Sequence, residues 1–206
     1  MSAIEIAVFW VVFLGFVGWF AAQMRTRRRL VMAGADNFSI DDVPARVRRF
    51  VSEVVFQSRV IRAKPWVGFA HLFVFWGFCA FALYTSVQFL RGLGIADLSG
   101  TRWFGWYQAA LTPFCVAVLA GIIFLLIRRG IVRPRALGDH VSKESILIGF
   151  FIVTLMVTYL IEVFHFDRMA EPGLPERVNW WVHMLVILCF LGLIPNSKHL
   201  HLLISP

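Results

Sequence analysis

The chain has 206 residues, of which 59% are apolar and only 16% charged, with a mean hydropathy of +0.75. Ordinary soluble domains run about 45–50% apolar and about 25% charged, so a water-soluble globular domain, a disordered tail and a secreted disulfide scaffold are excluded. The formal net charge of +8 does not point to nucleic acid, because in so apolar a chain the placement of the charges matters more than their sum.

Five apolar runs, at about 3–24, 66–90, 106–127, 145–165 and 178–195, are each long enough to cross ~30 Å of hydrocarbon as a helix. They predict an all-α integral membrane bundle of five transmembrane helices forming a single membrane domain over 1–206. The first run has no basic leader and is followed by Arg25, Arg27, Arg28 and Arg29 rather than a small-residue cleavage site, so it reads as an uncleaved span.

Between the first two spans, Asp41, Asp42, Val43 and Pro44 read as a helix start. Val47, Phe50, Val51, Val54 and Val55 then recur at helical spacing among Arg46, Arg48, Arg49 and Arg59. An amphipathic helix over about 41–58 lying on the inner membrane lipid surface is predicted. The same face also suits docking of a soluble partner domain.

The connecting segments set an orientation. Residues 25–64 hold ten Lys/Arg, residues 128–143 hold five, and Lys198 brings that side to 16, against four (Arg91, Arg102, Arg168 and Arg177) on the other. The positive-inside rule makes the basic side cytoplasmic, with the N-terminus outside and the C-terminus inside, and the expected location is the cell inner (plasma) membrane. Trp10, Trp66, Trp103, Trp106, Trp180 and Trp181 sit near span ends, as interfacial aromatics do. Cys79, Cys115 and Cys189 are widely spaced with no CxxC, so the chain carries no thiolate-built iron–sulfur or zinc site.

Ionisable side chains inside apolar runs are the natural functional candidates, since an unpaired polar group in hydrocarbon costs several kcal/mol. His183 and His201 are 18 residues apart. On one continuous helix that is five turns, which puts both on one face, about 27 Å apart along the axis. Two same-face histidines at opposite depths suit axial ligation of two haems, and a hydrogen bond linking two helices is the plainer reading of either one alone. Pro195 lies between them and is a candidate kink.

His71, early in the second span, matches His201 in depth and is the expected second ligand of an inner haem. Arg59, Arg62 and Lys198 cluster at that level and suit haem propionates, or serve as ordinary interfacial anchors. The outer site is less complete: His165 is the expected partner of His183, with Tyr84 and Met156 weaker choices. His140 reads as a solvated loop residue, and Glu162 as a carboxylate snorkelling to the surface rather than a proton or quinone group.

The last span and its sequel, from His183 through Pro195, Ser197, Lys198 and His199 to His201, resembles the final helix of the respiratory nitrate reductase gamma-subunit family, five-span b-type cytochromes with two haems. That resemblance implies that His183 is an outer and His201 an inner ligand. The family's second span has two histidines ten apart; here His71 matches the first and Phe81 stands at the second position. The inner haem therefore carries over with both ligands and the outer one with His183 alone.

The stretch Gly68-Phe69-Ala70-His71-Leu72-Phe73-Val74-Phe75-Trp76-Gly77-Phe78 and the ending Pro195 to Pro206 resemble more closely the membrane domain of heterodisulfide-reductase-like iron–sulfur oxidoreductases. These include enzymes passing electrons from electron-transferring flavoprotein to menaquinone. The resemblance implies haem b as cofactor, menaquinone or another quinone as substrate, and a cytoplasmic iron–sulfur domain or subunit as partner. In that group such a domain follows the segment ending here at Pro206. The expected role is a quinone-linked oxidoreductase's cytochrome b relay. The alternative is a non-redox membrane anchor or transporter component, for which one marginal Glu162 and no internal repeat offer little.

Overall fold

A computed structural model of the chain describes residues 1–33, 42–132, 143–166 and 173–197. His140, Arg168, Lys198, His199 and His201 lie outside the described residues. Among those described there is no strand, and five helices are long and apolar enough to cross a membrane. In chain order the helices are α1 (Ala3–Ala33), α2 (Val43–Phe50), α3 (Ser58–Ala63), α4 (Pro65–Gly92), α5 (Arg102–Ile127), α6 (Lys143–Ile161) and α7 (Leu174–Leu193). Wider π-type turns extend α2 over Val51–Val55, α5 over Arg128–Val132 and α6 over Glu162–Phe166.

The five expected spans are all present and run past their apolar cores. α1 continues through Arg25 to Arg29 as far as Ala33, because arginine is a good helix former and the helical backbone needs no hydrocarbon around it. α4 begins at Pro65, where a missing N–H costs nothing and φ is already helical. Inside α5, Pro113 removes one donor from the ladder. One residue earlier the Thr112 hydroxyl bonds the Gln108 carbonyl at 2.8 Å, and Tyr159 Oη donates to the same oxygen at 2.9 Å.

α4 packs on α5, α5 on α6 and α6 on α7, while α1 bridges α7 and α4. Close approach between spans depends on small residues. A Cβ on Gly77 would lie 2.4 Å from Val118, and one on Gly149 2.4 Å from Leu126. Two buried clusters result, one of rings and aliphatics from α4, α5 and α6 around Tyr84, Phe104 and Tyr159, the other joining Phe9 of α1 to Trp180, Met184 and Leu188 of α7.

Four expectations need correction. The unbroken helix from Trp180 to His201 does not form: α7 ends at Leu193, tightens to a 3-10 turn over Ile194–Asn196 and turns extended at Ser197. Pro195 is the cause, since it cannot donate into an α-ladder, and the same-face phase of His183 and His201 loses its basis. The freed carbonyls are capped by α1, where Gln23 Nε2 donates to Gly192 O at 3.2 Å and Arg27 Nε to Pro195 O at 3.1 Å. A cation there also complements the negative end of the helix dipole.

The surface helix expected over about 41–58 is shorter, running over Val43–Val55 with Phe56 as its C-cap. Gln57 takes a left-handed conformation (φ 52°) before α3 begins. Trp180, expected in an interfacial belt, is buried against Phe9, with ring centroids 5.1 Å apart, and its indole donates to Gln88 Oε1 at 2.9 Å. Glu162, expected to snorkel, is buried within the bundle end and paired with Arg91. In each case local sequence placed the residue near a span end, and the neighbouring helix supplied a partner that turned it inward.

Candidate functional site

His183 sits in the third turn of α7 and is buried. Its Nδ1 lies 2.7 Å from Thr158 Oγ1 of α6. That hydroxyl is 2.8 Å from the Thr154 carbonyl and 3.1 Å from that of Leu155. A hydroxyl has one proton, and with that proton given to its own helix the oxygen is placed to accept from an Nδ1–H of His183, the tautomer that leaves the ring's lone pair on Nε2. The imidazole also meets the ring of Tyr84 on α4 nearly at right angles, centroids 5.6 Å apart.

His71 is half-buried on α4. Its Nδ1 lies 2.7 Å from Oε1 of Gln57, a buried polar side chain. An amide oxygen only accepts, so here too Nδ1 carries the proton and Nε2 the lone pair. Because Tyr84 is level with His183, the 13 residues from His71 to Tyr84 put the two histidines about 20 Å apart along the bundle. They belong to two separate sites.

The expected partners divide. His165 lies at the far end of α6 with its side chain exposed, its ring packed edge-on to Phe166 at 5.0 Å, whereas His183 is engaged by Thr158 and Tyr84. Phe81 is buried among Tyr159 and Tyr84, with centroids at 4.9 and 6.1 Å. Met156 packs its sulfur 3.5 Å from Cys115 Sγ. Arg59 and Arg62 are exposed on α3, one turn from Gln57, and Arg59 is 3.9 Å from Glu53. Lys198 and His201 lie outside the described residues.

A third feature lies at the opposite end of α4 from His71. Arg91 meets three carboxylates from three segments: Glu176 of α7 at 3.2 Å, Asp97 of the α4–α5 loop at 3.4 Å and Glu162 at 3.9 Å. Asn179 adds a hydrogen bond to Glu162 at 3.3 Å. Beside it a cavity of about 200 Å³ is lined by Glu5, Arg91, Glu176, Arg177, Trp180 and Trp181, with the first residues of the chain closing it.

The donor chemistry fits an axial ligand at both histidines. A haem iron takes a neutral imidazole nitrogen whose ring partner donates to a fixed acceptor, and both rings have an oxygen 2.7 Å from Nδ1 to serve as that acceptor. Among the described residues no three His, Cys, Asp or Glu side chains cluster as a closed metal site would require. Haem ligation needs only an axial nitrogen on each side. The His183 level is densely filled by Tyr84, Phe104 and Tyr159.

Sequence reasoning singled out the two histidines but not Gln57, Thr158 or the Arg91 cluster. Gln57 and Thr158 stand 14 and 25 residues from the rings they hold, with no motif to flag them. Arg91 offered one signal, as one of only four cations on the sparsely basic side.

No family model matches the chain and no solved structure matches it. Among curated proteins it is similar to the EtfAB:quinone oxidoreductase of Syntrophomonas wolfei subsp. wolfei, at 25% identity over 182 residues covering 72% of this chain. The chain spans about a quarter of that relative's length. The likeness relates it to quinone-linked oxidoreductases.

Proposed function

We propose that the chain is a membrane-embedded b-type cytochrome that relays electrons between a cytoplasmic iron–sulfur or electron-transferring flavoprotein partner and the quinone pool. The carrying observation is that two histidines, about 20 Å apart along the bundle, each have Nδ1 held 2.7 Å from a side-chain oxygen, the arrangement that leaves Nε2 as the ligating nitrogen. The likeness to an EtfAB:quinone oxidoreductase supports the quinone end of the relay.

His71 is the axial ligand at the basic end, with His201 its partner on the strength of the nitrate-reductase-like ending. His183 marks a second level; His165, its expected partner in sequence, is exposed at the far end of α6 and not beside it. Bound haem would supply one-electron transfer between ferric and ferrous iron. The chain's own side chains do the rest. Gln57 and Thr158 hold ring orientation, and the spans keep water from the ligands. Arg59 and Arg62, exposed on α3, would be the cations to pair with haem propionates, and Lys198 is a further candidate by sequence alone. The 16-to-four distribution of Lys and Arg supports placing that end at the cytoplasm.

The test is spectroscopic. Protein purified from haem-supplied cells should show b-type bands in reduced-minus-oxidised spectra and a pyridine haemochrome, and their absence would overturn the reading. His71→Ala and His201→Ala should each remove the same signal. Loss of two different signals would break that pairing while leaving haem binding intact.

A further inference from the structure

α3 doubles back along the first turns of α4 as an antiparallel helical hairpin cornered at Lys64 and Pro65. Its rungs are regular. Ile61 backs onto Gly68, where a Cβ would lie 2.5 Å from the Ile61 Cα. Gln57 meets His71 at 2.7 Å, and the Val55 carbonyl accepts from Trp76 Nε1 at 3.1 Å. Gly68 and His71 are three apart on α4, Gln57 and Ile61 four apart on the arm, so the two central rungs lie on facing stripes.

Gln57 itself is unusual. It adopts φ 52°, a region that disfavours a residue with a Cβ, and it buries an amide that water would otherwise solvate. Ser52 and Ser58, 3.0 Å apart across the turn, pin the break from both sides. That conformation aims the side chain inward at His71, and the close Gly68–Ile61 approach sets how near the arm can come.

We infer that Gln57 is a positioning residue for His71: it holds the Nδ1–H tautomer, which leaves the lone pair on Nε2, and would tune a bound haem iron through that hydrogen bond, with the α2–α3 arm as its carrier. The inference rests on the reading of His71 as an axial ligand. A stronger acceptor at Nδ1–H gives the imidazole more anionic character and favours ferric iron; loss of the acceptor favours ferrous.

The experiment uses the full chain in lipid nanodiscs. In the haem-loaded protein, Gln57→Leu should raise the midpoint potential of the haem lost in His71→Ala, and Gln57→Glu should lower it. Gly68→Ala, which forces α3 away from α4, should shift it upward by less than Gln57→Leu. In the haem-free protein, ¹⁵N-histidine spectra should show Nδ1–H at His71 in the wild type and loss of that preference in Gln57→Leu. Potentials that do not move, or that move the same way for Leu and Glu, overturn the tuning role. A tautomer indifferent to Gln57→Leu overturns the positioning role, and an unaffected Gly68→Ala overturns the arm as carrier. A wild-type protein with no b-type band refutes the proposed function, and the tautomer measurement still decides whether Gln57 holds His71.

Discussion

The two ends of the bundle hold their histidines by different means. His183 is gripped by the bundle itself, with Thr158 from one spanning helix and Tyr84 from another. The same end is tied across α4 and α7 by Gln88 to Trp180 and Arg91 to Glu176. His71 is gripped by an arm outside the five spans, through one amide and a glycine contact. Packing shared by many neighbours yields cooperatively, whereas a short hairpin at the edge of the spans opens at lower cost. The difference separates a histidine held within the spans from one held at their edge.

The contrast is broken most severely at Arg91. Its side chain is 17% exposed and faces three carboxylates. Removing one partner of a buried ion pair leaves the others uncompensated, at a cost of about 3 kcal/mol or more. Arg91→Ala should therefore lower the thermal midpoint in detergent strongly, whereas Arg59→Ala, at an exposed pair, should change it little. Combining Arg91→Ala with Glu162→Gln should recover part of the loss, since the orphaned carboxylate is gone. Equal midpoints for Arg91→Ala and Arg59→Ala would show that the two ends are not differently tied.

Thr158→Val is a milder probe at the same end. It keeps shape, removes the acceptor of the His183 Nδ1–H and should cost about 1–2 kcal/mol. Because ring packing by Tyr84 persists, His183 should keep its place, so any haem signal assigned to it should shift in potential rather than vanish. Gln57→Leu at the other end should cost less stability and release its ring more completely. A larger release of His183 than of His71, read from the ¹⁵N spectra, would reverse the comparison.

The five spans were legible because a backbone in hydrocarbon has few solutions, and a run of about 20 apolar residues has one reading. His71 and His183 were legible because an imidazole is conspicuous in such a run. What holds them was not. Thr158 reads as one more small residue of an apolar span, and Gln57 as part of an arginine-rich connector. Trp180 and Glu162 sit where belts and snorkelling groups belong, and only the neighbouring helix decides that they turn inward. Pro195 was visible as a candidate kink, but its effect on the phase between His183 and His201 depended on Gln23 and Arg27 waiting to cap the carbonyls it frees.

The smallest expected effect concerns Asp97, in the loop where the tied end meets water. Burial pushes its carboxyl up, but hydrogen bonds from the Ser99 hydroxyl and backbone N–H, and then the Arg91 charge, pull it down further. The net result is a value below the ordinary aspartate range. A carboxyl lowered by folding contributes stability that is present above its unfolded value and lost as pH falls through the folded one. The wild type should therefore lose a little stability on acidification below the ordinary aspartate range, and Asp97→Asn should lose less over the same window. At neutral pH the substitution should cost within about 0.5 kcal/mol, because the group is half exposed and screened. Paired thermal scans at neutral and acid pH measure the difference. A neutral-pH loss as large as that of Arg91→Ala would mean that Asp97 is a main support of the cluster rather than its solvated rim, and that the tied end extends into the loop.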